Sequence, residues 1–150
     1  MCANFKPLTL KQLQDLNLPE IPFEYSEEVY PGYDLPLLFK SAQGPEWRKV
    51  MFGLVPKWAE DNTIASKTYN ARNETLFQKP TFNNALTKYK FGVIPVTEFY
   101  ESKYFDYKAQ RWGVRRKDGQ AVFIAALYEI CKIGDEVIRS ATMITMDAID

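Results

Sequence analysis

The sequence contains no histidine and only two cysteines, Cys2 and Cys131, among its 150 residues. Histidine is the most common metal ligand and the side chain that most often moves protons near neutral pH, so its absence argues against a zinc site. Two cysteines that lie so far apart do not form a disulfide framework and are typical of a reducing, intracellular environment. We therefore expect neither a metal nor a cofactor.

Long apolar runs and an excess of charge of one sign are also missing. No run approaches the roughly 20 residues that a membrane helix needs, and the N-terminal segment lacks the apolar core of a signal peptide. Lys and Arg number 19, as do Asp and Glu, so no bulk charge points to a nucleic-acid partner. The composition predicts one globular domain over residues 1–150, cytoplasmic and monomeric, with no membrane partner.

Local signals predict two short helices and two irregular stretches. Thr9 and Gln12 have the spacing of a capping box and predict a helix over residues 9–17. Thr81 is a candidate N-cap for a second helix over "FNNALTKY". Residues 18–39 are rich in proline and aromatics and are expected to be extended and irregular, and residues 57–80 to form loop and short helix.

The remaining segments predict an α+β fold dominated by antiparallel strands. Pro56 and Pro95 are expected to end the first and second strands, and Asp118-Gly119 and Gly134-Asp135 to form hairpin turns that join the last three. The predicted strands are "WRKVMFGLVP", "KFGVIPV", "QRWGVRRK", "AVFIAALYEI" and "EVIRSATMIT".

Cys2 directly follows the initiator methionine. If Met1 is removed, Cys2 carries a free α-amine, with a pKa of about 7.7–8.0, next to a thiol with a pKa of about 8.5. The amine can form an imine with an aldehyde, and the thiol can then close intramolecularly on the imine carbon to give a five-membered thiazolidine. From this residue alone, an ordinary free thiol at the second position remains the alternative.

Two polar segments could support such chemistry. In "NARNET", Asn70 offers an amide that can orient a hydroxyl, and Arg72 offers a planar donor fork suited to phosphate. In "VIPVTEFYES", Glu98 and Glu101 flank two aromatics, where partial desolvation could raise the pKa of a carboxyl group and suit it to proton transfer. An ordinary loop and an exposed strand end fit the same two segments.

A basic and aromatic stretch over residues 99–119 contains Arg111, Arg115 and Arg116. Aromatic rings interleaved with cations suit single-stranded DNA, because bases stack on the rings and phosphates pair with the cations. A half-exposed β-hairpin shows the same alternation, so the stretch alone does not decide between the two.

Several motifs, taken in order, resemble the SRAP domain (SOS response-associated peptidase), a family of abasic-site processing proteins. The motifs are "MC", "FGLVPKWAED", "NARNETLFQKPTF", "VIPVTEFYES", and "AALYE" followed by "ATMITMDA". Each is weak alone, but their order and spacing are specific, and they cover nearly the whole chain. The resemblance implies a compact α+β domain with a curved, barrel-like, mainly antiparallel sheet and short helices.

The resemblance also implies a DNA-damage response function, with the protein at the nucleoid when DNA is damaged. Cys2, exposed by loss of Met1, would crosslink to an abasic site in single-stranded DNA through a thiazolidine. Asn70 would hold the opened deoxyribose, Arg72 would contact phosphate, and Glu101 would move protons. Further DNA contacts are expected from Phe52, Trp58, Arg111, Arg115 and Arg116.

The sequence departs from the family pattern at several positions. The family's "M-C-G-R" appears here with Ala3 and Asn4, Phe52 replaces a tryptophan, and Glu98 stands where glycine is usual. A catalytic histidine of the family, in an "I-H-x-R-M-P" segment, would follow the strand "ATMITMDAID". We therefore expect a domain that lacks its C-terminal portion and is impaired in imine chemistry.

Two other classes of function fit the same residues. One is an N-terminal-nucleophile hydrolase or autopeptidase, in which the thiolate of Cys2 attacks an amide and its own amine acts as the base. The other is a non-catalytic single-stranded DNA-binding module that uses residues 99–119 and binds reversibly and salt-sensitively.

Overall fold

The computed structural model describes residues 2–147, which contain eight β-strands, two α-helices and two short 3-10 helices. None of these helices has the length and apolar character needed to cross a membrane. The helices are α1 (Leu10–Asp15) and α2 (Pro80–Thr87), with 3-10 turns at Thr63–Lys67 and Leu76–Gln78. The strands are β1 (Asn4–Pro7), β2 (Asp34–Ser41), β3 (Gly44–Phe52), β4 (Asn70–Arg72), β5 (Phe91–Phe105), β6 (Lys108–Val114), β7 (Val122–Ile133) and β8 (Glu136–Thr145).

Five strands close a barrel in the order β5, β2, β3, β8, β7 and back to β5. Each neighbouring pair is antiparallel except β3 and β8, which are parallel over a short stretch. Outside this ring, β1 and β6 pair with β5, and β4 runs parallel to the end of β8. The prediction of a barrel-like, mainly antiparallel sheet with short helices is confirmed.

Alternate residues of the barrel strands point inward and form the main core. These side chains are 2% exposed or less, and they pack with Phe5 and Cys2 at one end of the barrel. Smaller apolar clusters lie under α1 and under α2. The inward-facing core residues are Leu35, Leu37, Val50, Phe52, Ile94, Val96, Ala126, Ala141 and Met143.

The long strand β5 takes part both in the barrel and in a hairpin at the surface. Its first half pairs with β7 inside the barrel, and its second half, residues 99–105, pairs with β6. Every residue of β6 is exposed, so this second half and β6 form a hairpin at the surface, here called the arm (residues 99–114). Asp106 and Tyr107 both have positive φ angles, 49° and 63°, as a tight two-residue hairpin turn requires.

Several local predictions of turns, strand ends and irregular segments are wrong. The first predicted strand ends at Phe52 and not at Pro56, and residues 57–80 contain the short strand β4 besides loop and 3-10 turns. Pro95 lies in the middle of β5, opposite Phe123, and does not end the strand. Asp118-Gly119 does not join a hairpin, because β6 and β7 each pair with β5. Residues 18–39 are not irregular throughout, since β2 begins at Asp34.

The predicted start of α1 is confirmed, and the predicted start of α2 is wrong. Thr9 and Gln12 form the predicted capping box of α1. Thr81 does not cap α2, which begins one residue earlier with Pro80 in its first turn and Lys79 as N-cap. Proline suits the first turn because its missing N–H would have no partner there. The predicted turn at Gly134-Asp135 is confirmed between β7 and β8.

Candidate active site

Cys2 lies at one end of the barrel, two residues before the start of β1. Its side chain is 3% exposed and packs in the main core, and its Sγ lies 3.4 Å from the main-chain oxygen of Asn4. The following residue, Ala3, donates its N–H to the main-chain oxygen of Tyr100 at 3.0 Å. The N-terminus is therefore held against β5 by the pairing of β1.

Burial raises the pKa of the Cys2 thiol to about 12. A main-chain hydrogen bond from Tyr100 opposes this rise, and the nearby negative charge of Glu101 adds to it. The thiol is therefore neutral at physiological pH in this structure. For Cys2 to act as a nucleophile, a neighbouring group has to accept its proton or the residue has to become more exposed.

Asn70 begins β4 and reaches the N-terminal segment. Its Nδ2 donates to the main-chain oxygen of Cys2 at 2.8 Å. Its Oδ1 is buried and has no hydrogen-bond partner among residues 2–147. A buried amide oxygen without a partner costs free energy, about 1–3 kcal/mol, and such orphaned acceptors call for an explanation. Here the acceptor lies next to the candidate nucleophile.

Glu101 comes from β5, where it pairs with Trp112 of the arm. It is half-buried, and its carboxylate is close enough to Cys2 to act on the thiol electrostatically. The structure thus brings Cys2, Asn70 and Glu101 together from three segments that are far apart in the sequence. Together they place a thiol, an amide and a carboxylate at one end of the barrel.

Arg72 lies on the same face of β4 as Asn70, because side chains two residues apart on a strand share a face. Its guanidinium is paired with two carboxylates, that of Asp147 and that of Glu74, the latter at 3.7 Å. The main-chain N–H of Asp147 also donates to Glu74, at 2.8 Å. A phosphate that binds Arg72 therefore has to compete with these two acidic residues.

The two aromatic residues predicted to contact DNA differ in exposure. Phe52 is fully buried, with its ring 5.4 Å from that of Phe5 and 5.7 Å from that of Tyr69. Its prediction as a DNA contact is wrong, because its alternation on β3 turns it into the barrel, where it packs beneath the N-terminal segment. Trp58 is 61% exposed and available for contact.

The three arginines predicted from residues 99–119 lie on the arm or just after it. Arg111 forms an ion pair with Glu28 and lies 3.7 Å from the ring centroid of Tyr100. Arg116 pairs with Asp118 at 2.6 Å, and Arg115 is exposed without an ion pair among residues 2–147. Of these three arginines, Arg115 is the one whose guanidinium has no carboxylate partner within the described residues 2–147.

A polar network beside the site was missed by the sequence analysis. Glu28 binds both the side-chain amide of Asn4 and the guanidinium of Arg111. The hydroxyl of Tyr100 donates to Glu98 at 2.9 Å. The network connects β1, two residues after Cys2, to the arm. Glu28 carries no sequence signal for this role, because it lies in an irregular segment rich in acidic residues.

No group of three or more Cys, Asp or Glu side chains within residues 2–147 is arranged to hold a metal ion.

The structure therefore places a cysteine at one end of a five-stranded barrel, beside an amide and a carboxylate. The sequence model of the SOS response associated peptidase (SRAP) family matches residues 2–150. The chain belongs to the SRAP family.

Relatives and solved structures agree with this assignment. The chain is 34% identical over 116 residues to the abasic site processing protein YoqW of Bacillus subtilis, and 32% identical to YoaM of the same organism. Each match covers 77% of this chain and 51% of the relative, so the chain spans about half the length of these curated relatives. A crystal structure of a Bordetella bronchiseptica protein superimposes with a TM-score of 0.85 at 25% identity, over 98% of this chain and 73% of that one.

Proposed function

We propose that this protein processes abasic sites in single-stranded DNA by forming a covalent adduct with them through Cys2. The observation that carries the proposal is the contact between Asn70 and Cys2. The amide nitrogen fixes the main chain of Cys2, and the buried amide oxygen is left without a partner beside it. The names of the curated relatives, which are abasic site processing proteins, support the same substrate.

The reaction requires that Met1 be removed, because only then does Cys2 carry a free α-amine. That amine attacks the aldehyde carbon of the ring-opened deoxyribose, and the carbinolamine loses water to give an imine. The sulfur of Cys2 then bonds to the imine carbon, and the thiol proton moves to the nitrogen. The net products are a thiazolidine and one water molecule, so atoms balance without an oxidant or a reductant.

Glu101 is the residue of this site that can move the protons. Loss of water needs a proton on the departing oxygen, and attack by sulfur needs the thiol proton to leave, which burial of Cys2 disfavours. The carboxylate of Glu101 acts on the Cys2 thiol electrostatically. We assign both transfers to Glu101.

Asn70 is assigned a binding role. Its Nδ2 holds the carbonyl of Cys2, which fixes the direction of the α-amine, and its Oδ1 can accept a hydrogen bond from a hydroxyl of the opened sugar. Such positioning accounts for large rate effects, because it makes the reaction of amine and aldehyde effectively intramolecular.

Contacts with the DNA strand are assigned to the exposed residues around the site. Trp58 and the arm offer rings on which bases can stack. Arg72 and Arg111 each lie beside the site and exchange a carboxylate partner for a DNA phosphate. Arg115 has no carboxylate partner among residues 2–147, so a phosphate can bind it without such an exchange.

The test is a crosslinking assay with the protein lacking Met1 and a single-stranded oligonucleotide that carries one abasic site. We expect a denaturation-resistant adduct with wild type and with Cys131→Ala, and none with Cys2→Ala or with the intact oligonucleotide. Hydrolysis of a peptide by Cys2→Ser, with no adduct from wild type, would favour the peptidase. Reversible binding of equal strength to intact and abasic DNA, without an adduct, would favour the binding module.

A further inference from the structure

The barrel has a second opening, at the end opposite Cys2, which the proposed function does not use. Along the parallel strands β3 and β8, Arg48 precedes Val50 and Phe52, and Arg139 precedes Ala141 and Met143. The candidate active site lies where these strands end, because Asn70 pairs with Met143. The two arginines therefore lie at the other end of the barrel.

A cavity of about 150 Å³ remains between these arginines and the packed core. Leu37 and Val50, which are 1% and 2% exposed, form its floor. Phe39 and Tyr128 stand at its sides, with ring centroids 6.3 Å apart and planes tilted by 53°. An apolar cavity of this volume accommodates a ring the size of benzene.

The charge at the cavity is positive and unpaired. The guanidinium of Arg48 lies 4.9 Å from the ring centroid of Phe39, and Arg48 and Arg139 form no ion pair with a carboxylate of residues 2–147. Glu129 also borders the cavity, but its carboxylate is bound by Lys90 and Asn84, each at 2.8 Å. A half-buried cation beside apolar walls favours an anion as partner.

We propose that this opening binds a small aromatic carboxylate. Its ring packs on Leu37 and Val50, beside the contacting rings of Phe39 and Tyr128. Its carboxylate pairs with Arg48 and Arg139, which can bind both oxygens through their planar donor forks. The site is independent of Cys2 and of any DNA, so failure of benzoate to bind here would say nothing about adduct formation at Cys2, and the reverse also holds.

The experiment is an NMR titration of the full chain with benzoate, monitored through the main-chain amides. We expect saturable shifts for Tyr128, Ile130 and Arg139, with little change for Asn70 at the opposite end. Benzamide has the same ring without the charge, and it should bind at least about tenfold more weakly, because charge-assisted hydrogen bonds are about twice as strong as neutral ones.

Variants separate the site from unspecific binding of an anion. Arg48→Gln and Arg139→Gln should each weaken benzoate binding about tenfold or more, whereas Lys11→Gln, which removes an exposed positive charge from α1, should leave it unchanged. Arg139 is exposed, so its variant remains informative even if Arg48→Gln folds poorly. Absence of a saturable shift up to about 10 mM benzoate would overturn the proposal. It would also be overturned if wild type bound benzamide as tightly as benzoate, or if Arg139→Gln bound benzoate as tightly as wild type does.

Discussion

The side-chain amide of Asn70 donates a hydrogen bond to the main-chain carbonyl of Cys2 at 2.8 Å. The bond joins β4 to Cys2, two residues before β1, and β4 itself is held by its parallel pairing with β8. Through this one contact, the position of the N-terminal cysteine depends on the closing strands of the barrel.

The first prediction concerns Asn70→Ala. The variant should fold with a change in stability of no more than about 1 kcal/mol, because the carbonyl of Cys2 loses its donor while the buried Oδ1 without a partner is removed as well. It should form the DNA adduct at least about tenfold more slowly, because the amine is no longer positioned. Chemical denaturation and the initial rate of crosslinking measure the two effects. Asn83→Ala, an exposed asparagine of α2, is the matched control; equal rates in the two variants would contradict the role of Asn70.

The second prediction concerns the thiol of Cys2. Because its pKa is raised to about 12 in the folded chain, against about 8.5 in an unfolded chain, folding favours the protonated form. The resulting stability is complete below about pH 8.5 and is lost as the pH rises towards 12. Between these values wild type should lose more stability than Cys2→Ala, as measured by denaturation at each pH.

Alkylation kinetics give a second readout of the same pKa. Peptide mapping by mass spectrometry should show that iodoacetamide modifies Cys2 far more slowly in the folded protein than in the denatured protein at pH 8.5. Fast modification of Cys2 at neutral pH in the folded chain that retains Met1 would contradict a buried, neutral thiol.

The third prediction compares two glycines. A Cβ at Gly53 would collide with the main-chain oxygen of Ala65, and its φ of 135° disfavours any side chain, so Gly53→Ala should cost about 3 kcal/mol or more. A Cβ at Gly113 would meet chiefly the carboxylate of Glu98, the far end of a flexible side chain, and would lie 3.1 Å from the ring of Tyr100, with no main-chain atom among these contacts. Gly113→Ala should therefore cost no more than about 1 kcal/mol.

Thermal unfolding of both variants tests the comparison. In Gly113→Ala the carboxylate of Glu98 has to turn away from the hydroxyl of Tyr100, which now donates to it at 2.9 Å. If Gly113→Ala lost as much stability as Gly53→Ala, the carboxylate of Glu98 would not move aside for the added Cβ, which would contradict the prediction.

The fourth prediction concerns the acidic partners of Arg72. Asp147 is exposed, so its ion pair with Arg72 contributes little to stability, about 0–1 kcal/mol. Asp147→Asn should leave the fold intact and tighten binding to single-stranded DNA several-fold, since Arg72 loses a competitor for phosphate. Fluorescence anisotropy at several salt concentrations measures the affinity, with Asp15→Asn as the control. Equal affinities in these two variants would rule out competition between Asp147 and DNA.

The local signals in the sequence were sufficient for several elements. The capping box at Thr9 and Gln12 and the glycine turn at Gly134 are short-range features, and both occur as predicted. The order of the family motifs predicted a barrel-like sheet. In the site, the chemistry of its α-amine and thiol pointed to Cys2, whereas Asn70 and Glu101 were assigned through the family motifs; the structure brings the three together.

What the sequence did not show depends on long-range pairing. The parallel contact of β3 with β8 closes the barrel, and nothing in either strand marks it. The extension of β5 past Pro95 depends on its partners β1 and β6. The same holds for Phe52, whose direction is fixed by the register of β3, and for Glu28, which reaches Arg111 only in the folded chain.

The most direct test of the central proposal is intact-protein mass spectrometry of the chain lacking Met1 after incubation with an abasic single-stranded oligonucleotide. We predict a species with the mass of protein plus DNA less one water, absent in Cys2→Ala. Treatment with borohydride should leave that mass unchanged, because a thiazolidine has no C=N bond, whereas an imine would gain a pair of hydrogens. Failure of the chain lacking Met1 to form any adduct would contradict covalent capture through Cys2.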